Sequence, residues 1–436
     1  MPPDERQTTE GLAARTNIAS VTLMDDHPET PPRKFPFLLI LAFVAIALLG
    51  CFLRIYPSEK YTKIGFDEGL YGEYVVELVK HGITSYPDLA EFYVRRQQEL
   101  ATVILPPTRF LYIFCAYLWQ EATGANPIAS LRGVSCLFSI LLMFAAAGFA
   151  WRLGGRGSAL AVFALMSCAP TQIHMAQHGL IDGFFAFWAT VCLWLLWENL
   201  KRPNDLLRLS LFGVCLALLV VTKENAFFAY TGLLALLGLN KWLRFGTVTR
   251  SLLLVTVAGP LAGAVLLVTL CGGAQTCYQI YQLVISKASV SPYSIATGDG
   301  PWYRYLLDLL VASPLIFLLT WGAIFRLKLE NKAVLYLLGF VTATYVVMCN
   351  VRYGMNLRYT NMWDMPMRFL ALTCVSDCLR SFRRRELLIT IGVALLCAYD
   401  LRQYQILFVD YGLYELVPGG LLRALHILKD AAASVP

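Results

Sequence analysis

Residues 110–119 read Phe110-Leu111-Tyr112-Ile113-Phe114-Cys115-Ala116-Tyr117-Leu118-Trp119, ten apolar positions without a break. As a helix this run is about 15 Å long, half the depth of a hydrocarbon layer of roughly 30 Å. Whether it crosses decides on which side of a membrane every later loop lies. The surroundings make a membrane the relevant solvent. Of 436 residues, 57% are hydrophobic and 15% charged, with a mean hydropathy of +0.58. A soluble domain carries about 25% charged residues, so a soluble enzyme and a disordered chain are both excluded. The chain reads as an all-α polytopic membrane protein.

Working outward, the remaining apolar runs give spans at about 35–55, 128–151, 158–177, 182–200, 207–222, 225–240, 251–271, 303–325, 333–350, 359–379 and 386–400, eleven in all. With 110–119 lying flat at the surface, Arg33, Lys34, Arg152, Arg156, Lys201, Arg202, Lys241, Arg244, Arg326, Lys328 and Arg383–Arg385 all fall on the cytoplasmic side. Counting the run as a span would reverse every one after it, so the positive-inside rule favours the interfacial placement. The net charge of +7 is thereby absorbed as topology signal, with no nucleic-acid partner implied. Residues 1–34 read as a disordered cytoplasmic tail, 35–400 as the transmembrane domain, 56–127 as its first extracytoplasmic loop and 401–436 as an extracytoplasmic tail. Within the first loop, Gly69–Lys80 has the spacing of an amphipathic interfacial helix. Twelve cysteines mostly fill apolar runs. Cys271 and Cys277 alone bracket a short outer segment where a local disulfide fits.

This topology collects the polar residues on the outer face. Asp67 and Glu68 read either as a helix cap and first-turn acid, or as a general base with a metal or hydrogen-bonding partner. Asp182 is the one acid between Trp151 and Glu198, at the mouth of a span, where a carboxylate is solvated or kept for use. His174 and His178 are four apart, as metal ligands on one helix face would be, but supply half a site and read as polar lining. Lys223 and Glu224 read as a solvated pair in a turn, or Lys223 as a phosphate ligand. Arg352 and Arg358, beside Tyr353 and Tyr359, suit phosphate oxygens or snorkel to headgroups.

An ordered series of short motifs then carries a resemblance. It comprises Asp67-Glu68 with Tyr71 and Glu73, Pro106-Pro107, Gly124-Ala125-Asn126 with Arg132, Asp182 in Ile-Asp-Gly-Phe-Phe, Thr222-Lys223, Gly300-Pro301-Trp302-Tyr303 with Pro314, and Arg358-Tyr359 with Pro366. Over residues 35–380 the chain resembles C-type multi-spanning glycosyltransferases, in particular dolichyl-phosphate-mannose protein mannosyltransferases and the bacterial lipid A aminoarabinose transferase. The resemblance implies a GT-C-like fold whose interfacial helices cover a cavity between the spans. It also implies transfer of a sugar from a polyprenyl phosphate to a protein, lipid or glycan acceptor outside the cytoplasm, with inversion. By the same resemblance Asp67, Glu68 and Asp182 are the catalytic candidates, Lys223, Arg352 and Arg358 hold the donor phosphate, and Tyr71, His178 and Tyr359 line the cavity. No cofactor is certain; a divalent cation, if one is used, would sit at Asp67 and Asp182. The sequence has Ile104-Leu105 where the lipid A enzyme has Glu-Lys, and lacks the lumenal domain of the mannosyltransferases. Its compactness points to a bacterial plasma membrane rather than the endoplasmic reticulum. Two other readings stay open: a secondary transporter or flippase of a glycan or lipid, and a non-catalytic scaffold.

Overall fold

The computed structural model describes residues 37–352 and 355–428; the expected tail at 1–34, and Tyr353, lie outside them. The chain divides into residues 1–42 and 43–436, and of the first only the opening of a helix, residues 37–42, is described. Among the described residues every regular element is a helix. The first, α1 (Phe37–Ile55), is followed by the helices of the first large loop, α2 (Phe66–His81), α3 (Tyr86–Glu99) and α4 (Phe110–Thr123). The decisive apolar run thus becomes the fourteen-residue helix α4, about 21 Å long and too short to span. Its first turn is pinned beside the outer ends of its neighbours: Leu111 N donates to Val221 O at 3.0 Å, and Tyr112 meets the Ser135 hydroxyl. A helix of this length, packed into the protein along its first turn, is compatible with the interfacial placement.

The 41 residues of α5 (Pro127–Ser167) hold a break at Gly155, whose φ of +80° and ψ of −171° are not helical. The chain turns back there. Phe144 and Phe163, which a straight helix would separate by about 28 Å, have ring centroids 5.1 Å apart. Arg54 confirms the turn, because one guanidinium bonds Ser139 on the outward run and the Met166 and Ser167 carbonyls on the return. Two of the expected spans are therefore this hairpin. It leads through α6 (Pro170–Gln177) to α7 (Ile181–Lys201), α8 (Leu206–Val220), α9 (Ala226–Leu243) and α10 (Arg250–Leu270). On α10, Gly259 and Gly263 let the backbone approach the Gly213 and Ala217 carbonyls of α8, the small-xxx-small contact by which membrane helices pack closely. The opposite face of α10 leaves Leu254, Val257, Leu261 and Val265 exposed, a surface suited to lipid.

Next come α11 (Ala274–Ala288) and α12 (Pro292–Gly298) in the second large outer loop, then α13 (Arg304–Ala312), α14 (Pro314–Phe325), α15 (Lys332–Met348), α16 (Asp364–Cys378), α17 (Arg385–Tyr404) and α18 (Pro418–Ala424). Among the described residues, five helices are long and apolar enough to cross a membrane, and four shorter apolar helices accompany them. This is a multi-pass membrane protein, but eleven continuous spans are not what forms. The expected span 158–177 stops at Ser167 and resumes at Pro170; 303–325 is cut at Ser313, before Pro314; and 359–379 opens as a 3-10 helix, Leu357–Trp363. A proline lacks the N–H that a continuing helix needs, which accounts for the first two breaks.

Two further expectations change. The apolar stripe of α2 does not lie in lipid but is buried against α3, α4 and α5, in a cluster that includes Tyr71, Tyr74, Val75, Tyr86 and Tyr112. The tail after Leu401 is built structure. Beyond α17 come a π-helical turn, Gln405–Asp410, and a segment whose Leu413, Tyr414, Leu416 and Leu421 pack with Ile173, Leu180, Ala312 and Leu357. Cys271 and Cys277 are both free thiols in buried positions.

Candidate active site

Helix α2 begins one residue before Asp67, with Gly65 as its N-cap, so Asp67 is its second residue rather than its cap. The start is fixed by Glu68. Its carboxylate reaches back to Gly65 N (2.8 Å), accepts from Gly179 N (2.6 Å) and takes a two-pronged contact from Arg132 (2.8 and 3.0 Å). Burial pushes this carboxyl up, but Arg132 and the two backbone donors prevail and hold it below the usual range. Glu68 therefore ties three segments together, with both oxygens in use. Asp67, beside it, is left facing inward.

There it meets Arg358, positioned by Asn356, whose side chain accepts from Arg358 N. The guanidinium serves three acids: Asp67 Oδ2 at 3.0 Å, Asp182 Oδ2 at 3.8 Å and Glu415 Oε2 at 3.6 Å. Burial works against its charge, yet Glu415, Asp67 and Asp182 keep it firmly cationic. Asp182, in the first turn of α7, also receives Lys223 at 2.5 Å from the α8–α9 turn. Lys223 Nζ lies 4.2 Å from the centre of the Tyr359 ring. Burial lowers the Lys223 pKa to about 8 despite Asp182, with Arg109 and Arg358 adding to the fall. Asp67, Asp182, Lys223 and Arg358 are each less than a tenth exposed.

The pairing of Lys223 with a solvated Glu224 does not occur. Glu224 turns to Arg109, 3.1 Å away, and to the Thr108 hydroxyl, and Arg109 also bonds the Tyr71 hydroxyl. Arg352 is exposed and, among the described residues, joins none of these contacts. It does not belong to the cluster. His178 lies on the far side of Glu68, at 3.9 Å.

The structure therefore unites Asp67, Asp182, Lys223, Arg358, Tyr359 and, through Arg109, Tyr71. It adds Arg109 and Glu415, which sequence reasoning missed, and Glu224, which it paired with Lys223 instead of Arg109. Glu415 comes from the tail and is oriented by Tyr293, whose hydroxyl donates to it at 2.9 Å. Next to it, Tyr303, Arg304, Pro418 and Arg423 help to line a cleft of about 520 Å³.

A divalent cation at Asp67 and Asp182 fits this donor set poorly. Each carboxylate already faces a fixed cation, Arg358 for the first and both Lys223 and Arg358 for the second. An incoming metal would meet those positive charges at close range. What the cluster offers instead is a carboxylate beside several cations that can exchange partners.

The family of dolichyl-phosphate-mannose-protein mannosyltransferases matches residues 44–272, more than half of the sequence. The chain belongs to this family. It is accordingly an integral-membrane glycosyltransferase of the kind that uses polyprenyl-phosphate-linked sugars. Solved structures agree on the fold. ArnT from Cupriavidus metallidurans, bound to undecaprenyl phosphate, superposes with a TM-score of 0.54 at 16% identity, over 88% of this chain and 74% of that one. The oligosaccharyltransferase of Archaeoglobus fulgidus, in complex with Zn and sulfate, gives 0.55 at 15% identity, over 83% and 53%. The archaeal oligosaccharyltransferase AglB from the same organism, in complex with an inhibitory peptide and a dolichol-phosphate, gives 0.56 at 14%, over 88% and 56%. This mannosyltransferase-family chain thus spans about half the length of the oligosaccharyltransferases whose fold it shares. Among curated protein sequences, none matches it.

Proposed function

We propose that this protein transfers a sugar from a polyprenyl-phosphate donor to a hydroxyl-bearing acceptor at the extracytoplasmic face of a bacterial plasma membrane, with Asp67 as general base. The observation that carries the reading is the buried cluster in which Arg358 bridges Asp67 to Asp182 and Lys223.

The donor's phosphate is a competent leaving group once its growing negative charge is met. Lys223 and Arg358 are the cations closest to Asp67 and Asp182, and Arg109 stands behind them. On donor binding, phosphate oxygens take over donors that the carboxylates now occupy. Asp67 is then released from part of its ion pairing and accepts the acceptor's proton as the hydroxyl attacks C1. The C1–O bond to the phosphate breaks with its electron pair, polyprenyl phosphate leaves as the anion, and in-line attack inverts the anomeric centre. Asp182 holds Lys223 in place between turnovers. Glu68 acts as a positioning residue, because both its oxygens are committed to Arg132, Gly65 and Gly179.

The relatives support the donor class: ArnT binds undecaprenyl phosphate and AglB a dolichol-phosphate. The test is release of polyprenyl phosphate from radiolabelled polyprenyl-phosphate sugars by purified protein in lipid. Wild type releases it from one donor of the panel, and Asp67→Asn binds that donor but releases nothing. Equal release by both proteins removes Asp67 from the chemistry. Because the charge is met by Lys and Arg, added magnesium or manganese leaves the rate unchanged.

A further inference from the structure

Glu59, His174 and His178 form a second polar cluster that the proposed transfer does not use. Glu59 sits in the segment after α1, His174 in α6 and His178 just beyond it, and all three are buried. One donor atom from each lies within 4.8 Å of the other two. The two histidines that the sequence presents as half a ligand set thus acquire a carboxylate as the third member.

The hydrogen bonding here is hard to satisfy with protein atoms alone. His174 Nδ1 lies 2.7 Å from Glu59 Oε2 while its Nε2 lies 3.1 Å from the Tyr414 carbonyl oxygen. Both neighbours are acceptors, so without another ligand the ring satisfies both only as an imidazolium, since a neutral imidazole has one N–H to give. His178 Nε2 approaches the same Glu59 oxygen at 2.9 Å, so two rings share one oxygen. Meanwhile Glu59 Oε1 and His178 Nδ1, both buried, have no hydrogen-bond partner.

We infer that Glu59, His174 and His178 bind a zinc-type divalent metal ion. With the ion on His174 Nδ1, that ring's Nε2–H donates to the Tyr414 carbonyl. With the ion on His178 Nε2, the Nδ1–H faces Glu68, whose Oε1 lies 3.9 Å away. Those are the outer contacts that metal-bound histidines commonly make to carbonyls and carboxylates. Two imidazoles and one carboxylate are a ligand set typical of zinc. Tetrahedral ligands about 2.0–2.1 Å from the ion stand about 3.3 Å apart, so the carboxylate withdraws by roughly half an ångström to admit it. The site would clamp the α1–α2 connection, the α6–α7 loop and the C-terminal segment together beneath Glu68. Its role is structural, since the pocket is closed by the Tyr61 and Tyr414 rings packed over His178.

The test is metal analysis of protein purified with a histidine-free affinity tag, followed by exchange with cobalt. Wild type should carry about one zinc per chain, and the cobalt form should show the visible absorption of tetrahedral coordination. Glu59→Gln and His178→Ala should each lose the band and most of the metal, with a lower unfolding temperature. If a variant fails to fold, the wild-type spectrum decides alone. Wild type that neither contains zinc nor acquires the cobalt band overturns the inference, as does a band that persists in all three single variants, His174→Ala included. The outcome is independent of whether Asp67 is the base.

Discussion

Arg358 serves three carboxylates with one guanidinium, so its removal does more than delete a donor. Arg358→Ala leaves buried Asp67 and Asp182 and partly buried Glu415 around a missing cation. Breaking a buried ionic network in this way costs about 3–5 kcal/mol. A thermal unfolding series should show that loss, and turnover should vanish with it. Lys223 gives a pH signature. It is cationic below about 8 and neutral above, with Asp182, Arg109, Arg358 and Tyr359 facing it. The kcat/KM for the donor should therefore fall as pH rises through about 8, and Lys223→Arg should move that limb upward out of range, since Arg stays charged. A profile flat to pH 10 in wild type would remove Lys223 from phosphate binding. Asp67, Asp182, Lys223 and Arg358 were legible in the sequence because a charge beside long apolar runs is costly and conspicuous. Glu59 and Glu415 were not, because they sit in polar stretches where acids are ordinary, and Glu224 was seen but paired with its neighbour Lys223 because its partner Arg109 lies over a hundred positions earlier. Arg352, six residues before Arg358, looks identical to it until the fold turns Arg352 outward and Arg358 into the buried cluster.

Among the elements, α4 was readable because the charge of every later loop depended on it. The breaks at Ser167–Pro170 and Ser313–Pro314 also carried a local signal in their prolines, but hydropathy runs straight through them and hid the interruption. At Gly65, α2 and the C-terminal segment lie close together: a Cβ there would collide with the Tyr414 hydroxyl and the ring carbon that bears it. Gly65→Leu should displace Tyr414 and with it Glu415, cutting kcat more than tenfold while the helical content measured by circular dichroism stays as it was. An unchanged kcat would mean that the segment does not shape the site. On α10, Gly263→Leu should push α8 away and destabilise the bundle by about 1–3 kcal/mol, read as a lower unfolding temperature in detergent.

For the whole molecule, Glu330 and Arg352 flank α15, the single helix between them, so the expected topology puts them on opposite sides of the bilayer. Both are exposed, which makes them good reporters. In a background with the exposed Cys378 replaced, a membrane-impermeant thiol reagent added to intact cells should label Arg352→Cys. It should spare Glu330→Cys until the membrane is opened. The reverse pattern would invert the topology and place the cluster on the cytoplasmic side. The hairpin at Gly155 was foreseen as two spans, since Arg152 and Arg156 mark a cytoplasmic turn. The folding of residues 411–428 over the site was not foreseen, because its driving force is packing against residues scattered through the chain, from Ile173 and Leu180 to Ala312 and Leu357. That spread has a consequence for biosynthesis. Asp67, Asp182, Lys223 and Arg358 have all left the ribosome before Tyr414 and Glu415 are made, so a partly synthesised chain already inserted in the membrane holds an incomplete centre. On the proposed reading, the centre is completed only after α17 and the segment beyond it have been made.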